Sequence, residues 1–511
     1  MRFNILFGGQ AGQGPNILTE VLGRALVRKG FYVFYSRDYQ SLIRGGHNFN
    51  VLTFSNEPVY SNDSAYDMIV ALDKNTLELH KGKMNNDCLV IQGHEELGNM
   101  FFAGRIFKKL GIEFEFLDLE LKELEKRYEE NVKSAQKGYN SEKESIEMDE
   151  IMQGELGKEN RLFRNGSIGV SEGAINSGLD IYYAYPMTPA TTVMSELAGK
   201  QVKGNFAVIE LENEIAVANA GIGSAITGAK TMVGTSGGGF DLMSEALSLT
   251  GQAGVGMVFY LSQRPGPATG VATYQAQGDL NIARHAGHGE FPRVVLAPGD
   301  PLEAEELTSQ CFYFSQKFKI PSILISDKHL GESFYTNDSR AEITKSDKSI
   351  EFGRYNSYEV DKFGSATENP AIVTQNIQAR LQKQKDIEDE AKKFKQFKVF
   401  GNPESENVII GWGSSKGAIL DCIESEGVDA KFVQVLYIDP FPKEGLWKEL
   451  IGKNLILIEN NSTGQLGQLV KEKTGFNVPP RNRILKVNGR PFLRDELLRE
   501  IKKRLKETKE K

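Results

Sequence analysis

Four loops rich in glycine or proline, each following a β-rich run, hold the residue types that could do chemistry in this sequence. In Tyr185-Pro186-Met187-Thr188-Pro189 a threonine hydroxyl stands between two prolines, which restrict the backbone on either side. Glu210, Glu212 and Glu214 alternate where a strand-like run passes into the small-residue stretch 216–220. A carboxyl at such a junction is open to proton transfer if burial and neighbours tune it. Thr235-Ser236-Gly237-Gly238-Gly239 ends the next strand, and Gln263-Arg264-Pro265-Gly266-Pro267-Ala268-Thr269-Gly270 the one after. Arg264 brings a guanidinium whose paired donors suit a carboxylate. Ligands of open α/β sheets bind at the carboxyl ends of the strands, so the four loops point to a single edge. Taken singly, each is also what a tight strand-to-helix turn requires.

Two further segments carry polar groups. Gly8-Gly9-Gln10-Ala11-Gly12-Gln13-Gly14 follows the strand-like 3–7 and opens a helical pattern over 15–29. With Gly12 and Gly14 as the first two glycines, Ile17 occupies the third position of a dinucleotide fingerprint, and no Gly-Lys-Ser/Thr follows. What remains is a row of backbone amides at a helix start, able to face an anion, or simply a tight turn. Ser41-Leu42-Ile43-Arg44-Gly45-Gly46-His47-Asn48 places Arg44 where it could steer an anion toward that loop or bridge two loops.

The elements that must position these residues alternate between strand and helix along the chain, predicting an α/β fold with parallel sheets. At about 150 residues per domain, the length of 511 predicts three domains. The first spans 1–118, a charged helix and linker 119–160, the second domain 161–338, a charged connector 339–397, and the third domain 398–511. Within the second, a helical stretch through Gly173 is expected to precede a strand at 180–184, with strands at 206–211, 231–235 and 255–261. The composition, 40% hydrophobic and 25% charged, excludes wholesale disorder. A net charge of -7 provides no cationic field for nucleic acid. No apolar run approaches the roughly 18 residues of a membrane span, and the start of the chain reads as a short strand rather than a signal sequence, predicting a cytoplasmic protein. Cys88, Cys311 and Cys422 are far apart and show no cluster spacing.

In their order along the chain, the four loops resemble those of the α subunits of 2-oxoacid:ferredoxin oxidoreductases. The resemblance extends to His288-Gly289-Glu290-Phe291-Pro292-Arg293 and Ala297-Pro298-Gly299-Asp300. Residues 1–118, with the first glycine loop and Leu42-Ile43-Arg44-Gly45-Gly46-His47-Asn48, look like the γ domain often fused before the α part. The third unit, with Gly411-Trp412-Gly413-Ser414-Ser415-Lys416-Gly417 and 459–466, is similar to the family's transketolase C-terminal-like domain. The implied architecture is an open γ-like α/β sheet, an α/β domain of the thiamine diphosphate pyrimidine-binding type, and the C-terminal-like domain.

The resemblance implies oxidative decarboxylation of a 2-oxoacid to an acyl-coenzyme A and CO2, with electrons passed to ferredoxin, a chemistry of anaerobic metabolism. Glu214 matches the family's activating glutamate, which bonds the cofactor's aminopyrimidine, favours its imino tautomer and so promotes deprotonation of the thiazolium carbon. Arg264 would grip the substrate carboxylate, Thr188 and Thr273 would donate hydrogen bonds to the substrate, and Gly12, Gly14 and Arg44 would help cover coenzyme A. A β subunit is implied for the diphosphate, Mg2+ and the iron-sulfur cluster, since this chain has neither a Gly-Asp-Gly metal motif nor a cysteine set. Tyr274 follows Thr273 where members often carry arginine or lysine, which weakens the case for a dicarboxylate substrate. An indolepyruvate-type relative with a different pocket, or a non-catalytic nucleotide- or coenzyme A-binding protein of the same fold, would share many of these features.

Overall fold

The computed structural model describes residues 2–10, 12–40, 46–93, 98–124, 127–146, 161–348, 355–425 and 427–509. Its strands form three sheets, of seven, seven and five strands, with helices packed on them. The first sheet runs in the order Met84–Gln92, Tyr66–Ala71, Arg2–Gln10, His47–Ser55, Tyr32–Asp38, Phe334–Asn337, Leu162–Asn165. Its centre is a run of aromatic and aliphatic residues buried on both faces, in which Ile5 lies opposite Leu52 in an antiparallel pair and opposite Met68 in a parallel one. Helices Pro15–Arg28 and Gly98–Lys109 bury their apolar sides, including Leu18, Leu22, Phe102 and Ile106, in the same core.

The second sheet carries the site. Its order is Tyr437–Asp439, Val294–Leu296, Pro321–Asp327, Met257–Gln263, Thr231–Thr235, Ile181–Ala184, Ala207–Glu210. Every pair but the first is parallel, so its inner strands are covered by helices on both faces. Met257–Gln263 and Pro321–Asp327 are buried along their full length, as near-continuous apolar runs predict. The third sheet, Phe397–Gly401, Lys431–Val435, Asn407–Gly411, Asn454–Glu459, Arg483–Leu485, packs on the second through Trp412, Val433 and Val435.

Three features differ from the expected organisation. Residues 162–165 form a strand, not the start of a helix; the helix Gly166–Asn176 begins after it, with the side chain of Asn165 accepting from the Ile168 amide. That strand and Phe334–Asn337 extend the first sheet rather than the second, so boundaries at 161 and 338 cut across a continuous ladder. A four-residue strand has too few alternations to register as a period, and its place is fixed by the edge of Tyr32–Asp38 that Phe334–Asn337 pairs with. Likewise Tyr437–Asp439 of the third unit forms the outer strand of the second sheet. The charged stretch after 118, expected as a helix and linker, holds a helix packed on the first unit. Helix Tyr128–Ser141 lies on Gly98–Lys109 and buries Ala135 completely, while 147–160 lies outside the described residues.

Polar contacts join the three units. Arg2 pairs with Asp63 at 2.8 Å and with Asp421 of the third unit at 2.9 Å, and Ser61 donates to the same Asp421. Lys416 lies between Asp300 and the fully buried Glu303, which also receives Lys398 at 2.9 Å. Burial alone would raise the Glu303 carboxyl; the two lysines outweigh it and hold the group below the usual carboxylate range.

Candidate active site

The four loops do meet at the carboxyl edge of the second sheet. Glu214 is the first residue of helix Glu214–Ile226, whose cap Asn213 accepts from the Ala216 amide at 2.9 Å. That cap fixes the helix start, and the Glu214 side chain is turned inward until it is 3% exposed. Its Oε1 is buried and has no hydrogen-bond partner. A buried acceptor left unpaired costs about 1–3 kcal/mol, so an orphaned atom at a strand edge marks a place where a ligand donor belongs.

The Gly237-Gly238-Gly239 segment is what lets the carboxyl sit there. A Cβ on Gly239 would stand 2.6 Å from Glu214 Oε1 and inside van der Waals contact of Thr235 Oγ1. A Cβ on Gly237 would stand 2.5 Å from Oδ2 of Asp279. The glycine loop is thus pressed between two carboxyls. Gly239→Ala is expected to lower stability by about 1–3 kcal/mol through overpacking and to displace Glu214. Thermal unfolding of the variant checks the loss of stability.

Arg264 leaves the end of Met257–Gln263 half-buried, and its Nη1 donates to the Thr188 carbonyl at 2.7 Å. The expected pair is therefore brought together, though through the threonine backbone rather than its hydroxyl. The Nε of Arg264 is buried without a partner, as is Oγ of the fully buried Ser236. Burial draws the guanidinium below its ordinary value, and the negative charges of Asp279 and Glu214 oppose that shift. Orphaned donors and acceptors of both signs thus lie close together at this sheet edge.

After Arg264 the chain forms a long strap before it returns to the sheet. Thr273 donates from its hydroxyl to the Tyr39 carbonyl of the first unit at 2.8 Å, so its proton is engaged in joining two units and is not free for a substrate. The ring of Tyr274 lies under Arg490 of the third unit, 3.9 Å from the guanidinium carbon to the ring centroid, and Arg490 also pairs with Asp38 at 2.8 Å. A cation does stand beside Tyr274, then, supplied by a distant segment of the chain. Gln275 donates to Ser414, and Gln277 exchanges bonds with Asn460 and donates to the Trp412 carbonyl. These ties end at Asp279, whose amide donates to the side chain of the fully buried Gln263 at 3.0 Å.

Asp279 escapes sequence reasoning because an aspartate just before helix Leu280–His285 reads as a cap. Its side chain makes no cap bond. Instead Oδ2 is buried and unpartnered, and burial, followed by the like charge of Asp241, pushes the carboxyl up to about 6 against the pull of Arg264. In the first unit, Gly12 and Gly14 adopt positive φ of 93° and 75°, the latter at the start of helix Pro15–Arg28. Arg44 lies outside the described residues.

Residues 172–398 match a family profile described as pyruvate flavodoxin/ferredoxin oxidoreductase, thiamine diphosphate-binding. Residues 4–96 match a second, pyruvate ferredoxin/flavodoxin oxidoreductase. A 2-oxoacid:ferredoxin oxidoreductase α subunit from Sulfolobus sp. is 28% identical over 97% of this chain and 96% of its own. The chain belongs to the 2-oxoacid:ferredoxin oxidoreductase family. Another member, the α subunit of 2-oxoacid:ferredoxin oxidoreductase 2 from Aeropyrum pernix, is 31% identical over 68% of this chain and 62% of its own. In fold, the chain matches a 2-oxoglutarate:ferredoxin oxidoreductase from Magnetococcus marinus with a TM-score of 0.87 over 99% of both chains, at 23% identity. That structure holds 2-oxoglutarate, coenzyme A and succinyl-coenzyme A. The family supplies a reason for the converging loops, since its profile over the middle unit is a thiamine diphosphate-binding one. Among the described residues no helix is long and apolar enough to cross a membrane, and no three His, Cys, Asp or Glu side chains gather as metal ligands would.

Proposed function

We propose that this chain is the α-type subunit, with a fused γ-like unit, of a thiamine diphosphate-dependent 2-oxoacid:ferredoxin oxidoreductase that forms acyl-coenzyme A. The observation that carries the reading is the orphaned, buried Oε1 of Glu214 at the strand edge, beside a glycine whose missing Cβ leaves the carboxyl its place. A carboxyl there fits the ring nitrogen of an aminopyrimidine, a neutral partner that a buried acid can bond without a charge being stranded. Thiamine diphosphate, when bound, supplies the nucleophilic carbon and the electron sink for decarboxylation.

The chain's own residues do the rest of the work on this side of the site. Glu214 would hold the pyrimidine end through its unpartnered Oε1 and exchange a proton with the ring nitrogen there. Arg264, steadied through Nη1 by the Thr188 carbonyl, offers its unpaired Nε edge to the substrate carboxylate. The segment around Thr188 and the strap through Thr273 would border the bound substrate. Thr273 acts by anchoring that strap to Tyr39. Gly12, Gly14 and Arg44 are assigned to the coenzyme A side. The diphosphate, its Mg2+ and the iron-sulfur cluster are assigned to a β subunit, and ferredoxin is the electron acceptor.

The test is anaerobic reduction of a viologen dye by this chain co-expressed with its candidate β subunit, given thiamine diphosphate, coenzyme A and a panel of 2-oxoacids. Reduction that needs both chains and coenzyme A is the expected result. Silence across the panel, with cofactor and cluster shown to be loaded, would reject it and favour a binding protein of the same fold.

A further inference from the structure

The same sheet edge holds a second buried carboxyl that the reaction as described does not use. Asp279 is carried to it by the strap, pinned by Gln263 from the sheet and by Gln277 and Gln465 from either side of the third unit's contact. Its Oδ2 faces Gly237, opposite the side on which Glu214 meets Gly239. The charged groups around it are Asp241 on the glycine-loop helix, Arg264 at the end of the neighbouring strand and, beyond Arg264, Glu214. From the third unit the strap beside it is held by neutral amides, Asn461 on the Gln277 carbonyl and Gln465 on the Gly278 carbonyl.

This arrangement has a consequence for an anionic substrate. Arg264 attracts a 2-oxoacid carboxylate, but an ionised Asp279 within the same field repels it, in surroundings too dry to screen the repulsion. The conflict disappears if the carboxyl is neutral, and a neutral carboxyl gains an O–H to donate where a carboxylate could only accept. Resting on the function proposed above, we propose that Asp279 is a substrate-binding carboxyl that takes a proton from solvent when a 2-oxoacid docks against Arg264, so that the substrate is held by a guanidinium and a carboxylic acid together. No bond other than the O–H on Asp279 forms in this step, and the proton returns to solvent when the anionic substrate is gone. The carboxyl is already raised toward this state before any substrate arrives, through its burial and Asp241.

Linked protonation has a pH signature. Above the carboxyl's free value, each pH unit should raise the KM for the 2-oxoacid about tenfold, because one proton must be taken up per substrate bound. In Asp279→Asn, which keeps the shape and a donor, KM should be flat over the same range. The holo complex titrated with oxamate, an unreactive 2-oxoacid isostere, in two buffers of different ionisation enthalpy should take up about one proton in the wild type and none in Asp279→Asn. Asp241 is exposed, so Asp241→Asn tests the same idea without disturbing the core: loss of its charge should shift the rise in KM to lower pH. An Asp279→Asn complex that keeps the slope and the proton uptake would overturn the role, as would an Asp241→Asn complex with an unmoved profile. A wild-type complex active on 2-oxoacids but flat in pH would overturn this role alone, whereas a loaded complex inactive on all of them would overturn the functional reading with it.

Discussion

Glu214→Ala in the assembled enzyme is expected to reduce kcat by about 10²–10⁴-fold, the range general acid-base groups contribute, with the fold intact. The fold should survive because Glu214 supplies little to it. Asn213, not Glu214, caps the helix, and the lost carboxyl leaves behind no partner that depended on its Oε1. Removing a buried acceptor that nothing satisfies relieves a cost, so the variant without cofactor should melt no lower than the wild type. Glu214→Gln sharpens the result. It preserves the volume against Gly239 but carries no ionisable proton, so it should fall with the alanine variant in kcat while retaining more of the cofactor affinity. Steady-state viologen reduction, paired with thermal unfolding of the isolated chain, separates the two effects. An active Glu214→Ala complex would remove the activating role from this residue.

How much of this site could be read from sequence depended on how locally each part is made. Thr188, Glu214, Ser236 and Arg264 all lie within a few residues of a strand end, and a strand, a tight turn and a helix start leave their mark in adjacent residues. Their convergence then follows from the parallel order of four neighbouring strands. The parts that stayed hidden are set by distant contacts. The hydroxyl of Thr273 is directed at the Tyr39 carbonyl, which is 234 residues away, and nothing in its neighbours signals that. Arg490 reaches Tyr274 from the far end of the chain. Asp279 looks like a helix cap and is withheld from that task only because Gln263 and the third unit fix the strap above it. The same reason explains the sheet boundaries: Leu162–Asn165 and Phe334–Asn337 are short, and their place is decided by an edge formed by Tyr32–Asp38 rather than by their own sequence.

Arg264→Ala should act chiefly on substrate binding, and the geometry says why the effect is large. Its Nη1 is committed to the Thr188 carbonyl, which leaves the Nε side, already stripped of water and unpaired, to meet the substrate. A charge-assisted bond of this kind contributes about 1.5–3 kcal/mol, so the KM for the 2-oxoacid should rise by about 10–100-fold, with a smaller fall in kcat. Arg264→Lys should recover little of it, because a lysine cannot hold the Thr188 carbonyl and present a second, fixed donor at once. The variant also bears on its neighbours. With the guanidinium gone, the attraction that opposes the raised Asp279 carboxyl is lost, so that carboxyl should move further up and stay neutral to higher pH. The residual KM of Arg264→Ala should then vary less with pH near neutrality than that of the wild type. A KM unchanged by Arg264→Ala would mean that the substrate carboxylate is held elsewhere, and the unpaired Nε of Arg264 would have to be assigned to another part of the reaction.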